Sequence, residues 1–96
     1  MTCEVDRGDR VFSGRIIDTS LNGIGIMLPE GGESLKGKVR VHITQAHPSS
    51  VEAPEEIRLS ALPAYLKPMS KGHHVGFRIV QIESGESEWK RLCATA

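Results

Sequence analysis

The chain has 96 residues, and its twelve Lys and Arg are balanced by twelve Asp and Glu, so it carries no formal net charge. That length supports one modest hydrophobic core and therefore one domain. The charge balance argues against nucleic-acid binding and direct membrane contact, both of which draw on a basic excess.

In chain order, Thr2 to Val5 reads as a short strand, and Asp6-Arg7-Gly8-Asp9 as the turn that ends it. Val11 to Asp18 is a second strand. Phe12, Gly14 and Ile16 share one of its faces, and Val11, Ser13, Arg15 and Ile17 share the other. After a connection at Asp18 to Gly23, Ile24, Ile26 and Leu28 line one face of a third strand, with Gly25 and Met27 opposite. Pro29 to Gly32 ends it. Lys38 to Thr44 alternates most cleanly, with Val39, Val41 and Ile43 pointing inward. Gln45 to Pro54 is polar, carries no period, and reads as the longest loop.

Ile57, Leu59 and Ala61 begin the next inward face. Pro63 cannot donate to a ladder, so this strand is expected to bend or to run partly along an edge. Lys67 to Gly72 reads as a turn. His74 to Ile82 is the last strand, with Val75, Phe77 and Ile79 inward. Ser84 is placed as the N-cap of a short helix, with Glu86 in its first turn and Trp89, Leu92 and Cys93 as its apolar stripe. Six strands, one terminal helix and no crossover helix define an all-β domain. The simplest architecture is a small six-stranded antiparallel β-barrel with a short C-terminal helix.

Chemistry-bearing clusters are scarce. Cys3 and Cys93 lie at opposite ends of the chain and read as free thiols in a reducing cytosol. His73 and His74 are adjacent on a strand and point to opposite faces, so they do not share a metal. With His42 and His47 they read as surface or structural residues, and no metal site is expected. Ser20 and Asp18 have no histidine near them in sequence to complete a relay. Glu55-Glu56 falls in a loop and Glu86/Glu88 on a helix surface, where carboxylates are mostly just solvated. No catalytic residues are assigned, and the chain is expected not to be an enzyme. Phe12, Tyr65, Phe77 and Trp89 are too few for a base-stacking sheet. An OB-like nucleic-acid binder would share the barrel but lacks both the charge and the aromatics.

One stretch organises the rest. Asp18-Thr19-Ser20-Leu21-Asn22-Gly23 places a carboxylate, a hydroxyl and a glycine at the spacing Asp-x-Ser-x-x-Gly. Asn22-Gly23 is a turn signal, because both residue types tolerate positive φ. Asp18 and Ser20 can each bond nearby backbone N–H groups. Taken by its chemistry alone, the stretch reads as a self-satisfied strand connection.

The same stretch, preceded by an Arg-bearing apolar strand and followed by Ile24-Gly25-Ile26, resembles the second signature of the PilZ domain family. Leu35 to Val41 is similar to the family's fourth-strand entry, and His74 to Ile79 to its late Val-Gly strand, although here Phe77 follows Gly76 directly. Glu88 to Leu92 is similar to its C-terminal helix. The resemblance implies a bacterial β-barrel receptor for cyclic di-GMP, a ligand and not a cofactor. Asp18, Ser20 and Gly23 are carried over as ligand-binding residues, with Asn22 as a lesser candidate. An aspartate accepts from the guanine N1–H and N2–H₂ edge, and arginine would fork onto phosphate oxygens.

The family's first signature, Arg-x-x-x-Arg, does not occur in these 96 residues. Aligned by the loop, it would fall before Met1. The chain then reads either as a fragment of a larger protein or as a PilZ-type barrel lacking half of its ligand site. Arg7, Arg10 and Arg15 remain as partial substitutes. The resemblance implies a cytoplasmic domain, free or as the cytosolic part of an inner-membrane protein, that relays the messenger to a fused catalytic or membrane domain or to a partner protein. Flagellar brakes, polysaccharide export regulators and cellulose synthases are such hosts. The alternative is a PilZ-type protein-interaction module that binds no nucleotide.

Overall fold

A computed structural model describes residues 1–45 and 55–95 of the chain. Six strands, β1 (Thr2–Asp6), β2 (Val11–Ser20), β3 (Gly23–Leu28), β4 (Val39–Gln45), β5 (Glu55–Pro68) and β6 (His73–Ser84), precede one helix, α1 (Glu86–Thr95). The strands close into an antiparallel barrel in the order β1-β2-β3-β6-β5-β4. The seam between β1 and β4 is short, running from Glu4↔His42 to Asp6↔Arg40. A single 3-10 turn at Gly32–Ser34 joins β3 to β4.

Period-two patterning accounts for the core. Val5, Phe12, Ile24, Ile26, Leu28, Val39, Val41, Ile43, Ile57, Leu59, Ala61, Val75 and Phe77 are all buried, on alternate positions of six strands. Burying each of the larger ones contributes roughly 1.5–3 kcal/mol relative to exposure. The inward assignments made for β2 to β6 agree with the observed burial.

Three local expectations need correction. Ser84 does not cap the helix. It pairs with Arg58 as the last rung of β6, and the chain reverses at Gly85, whose φ is 79°. The Gly85 carbonyl accepts the Trp89 N–H at 2.8 Å, and a Cβ there would stand 2.4 Å from the Glu56 carbonyl oxygen. Glu56 lies in β5, not in a loop, because the ladder to β4 reaches Gln45↔Glu55. Lys67 and Pro68 extend β5, leaving a tighter turn closed by Met69 N–H on the Gly72 carbonyl. The remainder of the expected long loop, including His47, lies outside the described residues.

Pro63 behaves as its chemistry requires. β4 pairs with β5 only as far as Ala61, so from Leu62 onward β5 has a partner on one side alone. Its ladder to β6 slips between Pro63 and Tyr65. α1 lays Trp89 against the barrel with 0% exposure, and Leu92 and Cys93 pack beside it. Both cysteines are free thiols. Burial pushes the Cys3 thiol up to about 12 and raises Cys93 as well.

Candidate functional site

The Asp-x-Ser-x-x-Gly stretch is less of a loop than its sequence suggests. Asp18, Thr19 and Ser20 belong to β2, Gly23 opens β3, and only Leu21 and Asn22 form the turn. No residue here has positive φ, which corrects the expectation for Asn22-Gly23. Ser20 Oγ donates to the Gly23 carbonyl at a long 3.5 Å. The Asn22 carbonyl accepts the Ile79 N–H at 2.9 Å, tying the turn to β6. From the other side, Trp89 Nε1–H reaches the Leu21 carbonyl at 3.5 Å.

A β-bulge decides where Asp18 points. Phe12, Gly14 and Ile16 face the core, and simple alternation would send Asp18 after them. The β2–β3 register slips between Ile16 and Asp18 instead, leaving Ile17 as the extra residue. Ile17 and Asp18 both face out, and the Asp18 side chain is 64% exposed. No hydrogen bond holds its carboxylate among the described residues, and the His74 imidazole Nε2 lies 4.0 Å from it. The self-satisfied connection expected from local chemistry is therefore not what forms.

Pairing places a second wall opposite. One row of the sheet runs Asp18↔Gly25, Gly25↔Gly76, Gly76↔Tyr65 across β2, β3, β6 and β5. The next runs Ser20↔Gly23, Gly23↔Arg78. Glycines occupy the middle, so backbone forms the floor and the flanking side chains lean in over it. An added Cβ on Gly25 would lie 2.6 Å from Asp18 Oδ1, and one on Gly76 would lie 2.1 Å from the Tyr65 ring. Above this floor is a surface cleft of about 320 Å³ that brings together Asp18, Ser20, Asn22 and Gly23 with Tyr65 and Arg78. The Tyr65 hydroxyl is 3.4 Å from His74 Nε2, and the two rings meet edge to face with centroids 5.5 Å apart.

All four residues expected from the sequence thus line one cleft. Arg7, Arg10 and Arg15 do not. Arg7 grips Asp9 and Ser34, Arg10 pairs with Glu30, and both lie over the Phe12 ring. Arg15 lines a separate hollow with Met27 and Pro29. Sequence reasoning missed Tyr65, His74 and Arg78, which come from strands far along the chain. Glycines inside strands at Gly25 and Gly76 were the available signal, since they mark close approach. His73 and His74 do diverge: His73 Nδ1 lies 3.3 Å from Glu33, and His74 turns toward Asp18 and Tyr65.

The architecture is thus a closed antiparallel barrel that carries an open cleft on its outer face. The family model for the PilZ domain matches residues 1–94, and the chain belongs to that family. PilZ domains are receptor domains of the cyclic di-GMP-binding type rather than a family of catalysts. Searches among curated proteins and among solved structures give no significant match. Among the described residues, no helix is long and apolar enough to cross a membrane.

Proposed function

We propose that the chain is a receptor domain for cyclic di-GMP that passes the signal to a fused domain or a partner protein. The observation that carries this reading is the convergence of Asp18, Ser20, Asn22 and Gly23 on one cleft, with the Asp18 carboxylate exposed and unbonded. Its two oxygens accept from the adjacent donors of a guanine edge, and Gly23 lets the base approach backbone. Ser20, held only by a long bond to Gly23, is available to the ligand. The reading places the domain in the cytoplasm, free or as the cytosolic part of a membrane protein.

A second reading, an interaction module without nucleotide, is favoured by the lack of Arg-x-x-x-Arg in these 96 residues. Isothermal titration with cyclic di-GMP separates the two. A chain extended before Met1 by a segment bearing Arg-x-x-x-Arg is expected to bind tightly, and the 96-residue chain weakly. Two charge-assisted contacts contribute roughly 3–6 kcal/mol, or about 10²–10⁴-fold in affinity. Failure of the extended chain to bind overturns the receptor reading and leaves the interaction module. Submicromolar binding by the 96-residue chain overturns the requirement for the arginine pair.

A further inference from the structure

The phosphates of a cyclic dinucleotide need a cation, and none of the arginines near the motif in sequence supplies one. Arg78 stands in the right place. It is exposed, lines the cleft, and pairs in register with Gly23, the last residue of the motif. No carboxylate among the described residues holds it in an ion pair. By contrast, Arg7, Arg10, Arg40 and Arg58 each have an acidic partner within 4.0 Å. A guanidinium without an acidic partner and a carboxylate without a hydrogen bond, both lining one cleft, offer two complementary contacts for one ligand carrying both a phosphate and a donor edge.

Tyr65 completes the wall. Its ring is 53% exposed and lies across the position where a side chain on Gly76 would begin. His74 meets it edge to face, so the histidine does not stack face to face upon it. Three strand spacings separate the Asp18 and Tyr65 backbones along the row, about 14 Å. Both side chains lean in to within 4.0 Å of His74 Nε2, which leaves the exposed part of Tyr65, not the gap to Asp18, as the surface open to a base. Resting on the receptor reading above, we infer that β5 and β6 provide this chain's own second half-site. Tyr65 stacks a guanine, and Arg78 binds a phosphodiester, the role that the family resemblance gives to Arg-x-x-x-Arg.

Amide chemical shifts of the ¹⁵N-labelled 96-residue chain, titrated with cyclic di-GMP, test this, and the same spectra show that each variant is folded. Arg78→Ala should weaken binding roughly 10- to 100-fold, the loss of a charge-assisted bond, with Arg78→Lys recovering part of it. Tyr65→Ala should cost roughly 5- to 100-fold, and Tyr65→Phe should bind like the parent, since stacking needs only the ring. With guanosine in place of the dinucleotide, the Arg78→Ala defect should vanish and the Tyr65→Ala defect should persist. Variants at Arg78 and Tyr65 that bind like the parent, while Asp18→Ala does not bind, overturn the inference and leave the receptor reading standing. An Arg78→Ala defect of equal size toward guanosine also overturns it, because the arginine is then not acting on phosphate. If the 96-residue chain shows no shifts at millimolar dinucleotide, the second half-site is excluded, and the receptor reading rests on the arginine-extended chain alone.

Discussion

The turn between β1 and β2 and the cleft between β2 and β5 hold the same chemical parts in different states. Each has an arginine, an aspartate and an aromatic ring. In the turn, Arg7 forks onto both Asp9 oxygens at 2.7 and 2.8 Å, gives a third bond to Ser34 Oγ, and shares the Phe12 ring with Arg10. That pairing raises the Arg7 pKa further and holds Asp9 below the usual carboxylate range. In the cleft, Asp18 has no hydrogen bond and Arg78 no acidic partner among the described residues. Groups that satisfy one another are structure, and groups left unsatisfied at a surface are available to a ligand. Residue type alone does not separate the two.

The largest test of this contrast goes through the helix. Trp89→Ala should destabilise the fold by about 3–5 kcal/mol in urea titration, the usual cost of emptying a buried aromatic site. It also removes the indole N–H that reaches the Leu21 carbonyl, so the cleft should lose order while the Arg7–Asp9 turn keeps its resonances. Trp89 emission in the parent should be blue-shifted and move red on unfolding. Emission that is solvent-like from the start would mean α1 is undocked.

Next in size is a matched pair. Asp18→Ala should remove roughly 1.5–3 kcal/mol of cyclic di-GMP binding in the arginine-extended chain and leave its melting temperature nearly unchanged. Asp9→Ala should do the reverse, lowering the melting temperature slightly and leaving affinity alone. If both variants lose affinity equally, the division between structural and ligand-facing aspartates is wrong.

The smallest effect near neutral pH concerns the buried thiol of Cys3. Cys3 titrates near 9.0 in the unfolded chain and at about 12 in the fold, where burial disfavours the thiolate. Between those values the unfolded chain gives up a proton that the folded chain keeps. Stability should therefore be intact below pH 9 and fall above it, by about 1.4 kcal/mol per pH unit from this group. Cys3→Ala should show a shallower alkaline decline in denaturant titrations. Identical slopes would mean the thiol is not enclosed as described.

Much of this barrel was legible because β-structure writes its faces at period two. Val39, Val41 and Ile43 announced theirs, and so did Ile57, Leu59 and Ala61. Pro63 correctly signalled the point where β5 loses its β4 partner. The motif half of the cleft was legible for a different reason, its resemblance to a family. The other half was not, because Tyr65 and Arg78 reach the motif only through pairing with β6 and β3. The bulge at Ile17 was equally hidden, since an extra residue in one strand is defined only against its partner. The helix cap was misplaced because a residue suited to capping was already committed to a ladder.

The joint between β3 and β6 has a further consequence, for assembly. Gly23 and Arg78 pair across more than half the chain length, whereas the hairpins on either side close locally. Contacts so distant in sequence form only after a large loop-closure entropy has been met. The cleft lies astride that joint, so neither hairpin contains it alone, and it comes into being only with the finished barrel. A molecule held between Asp18 and Arg78 would therefore bind the native chain and not its unfolded form. At a hundredfold excess over its dissociation constant it would add about 2.7 kcal/mol to the stability of the whole domain. The messenger would then act as a clasp on the slowest-forming contact of its own receptor.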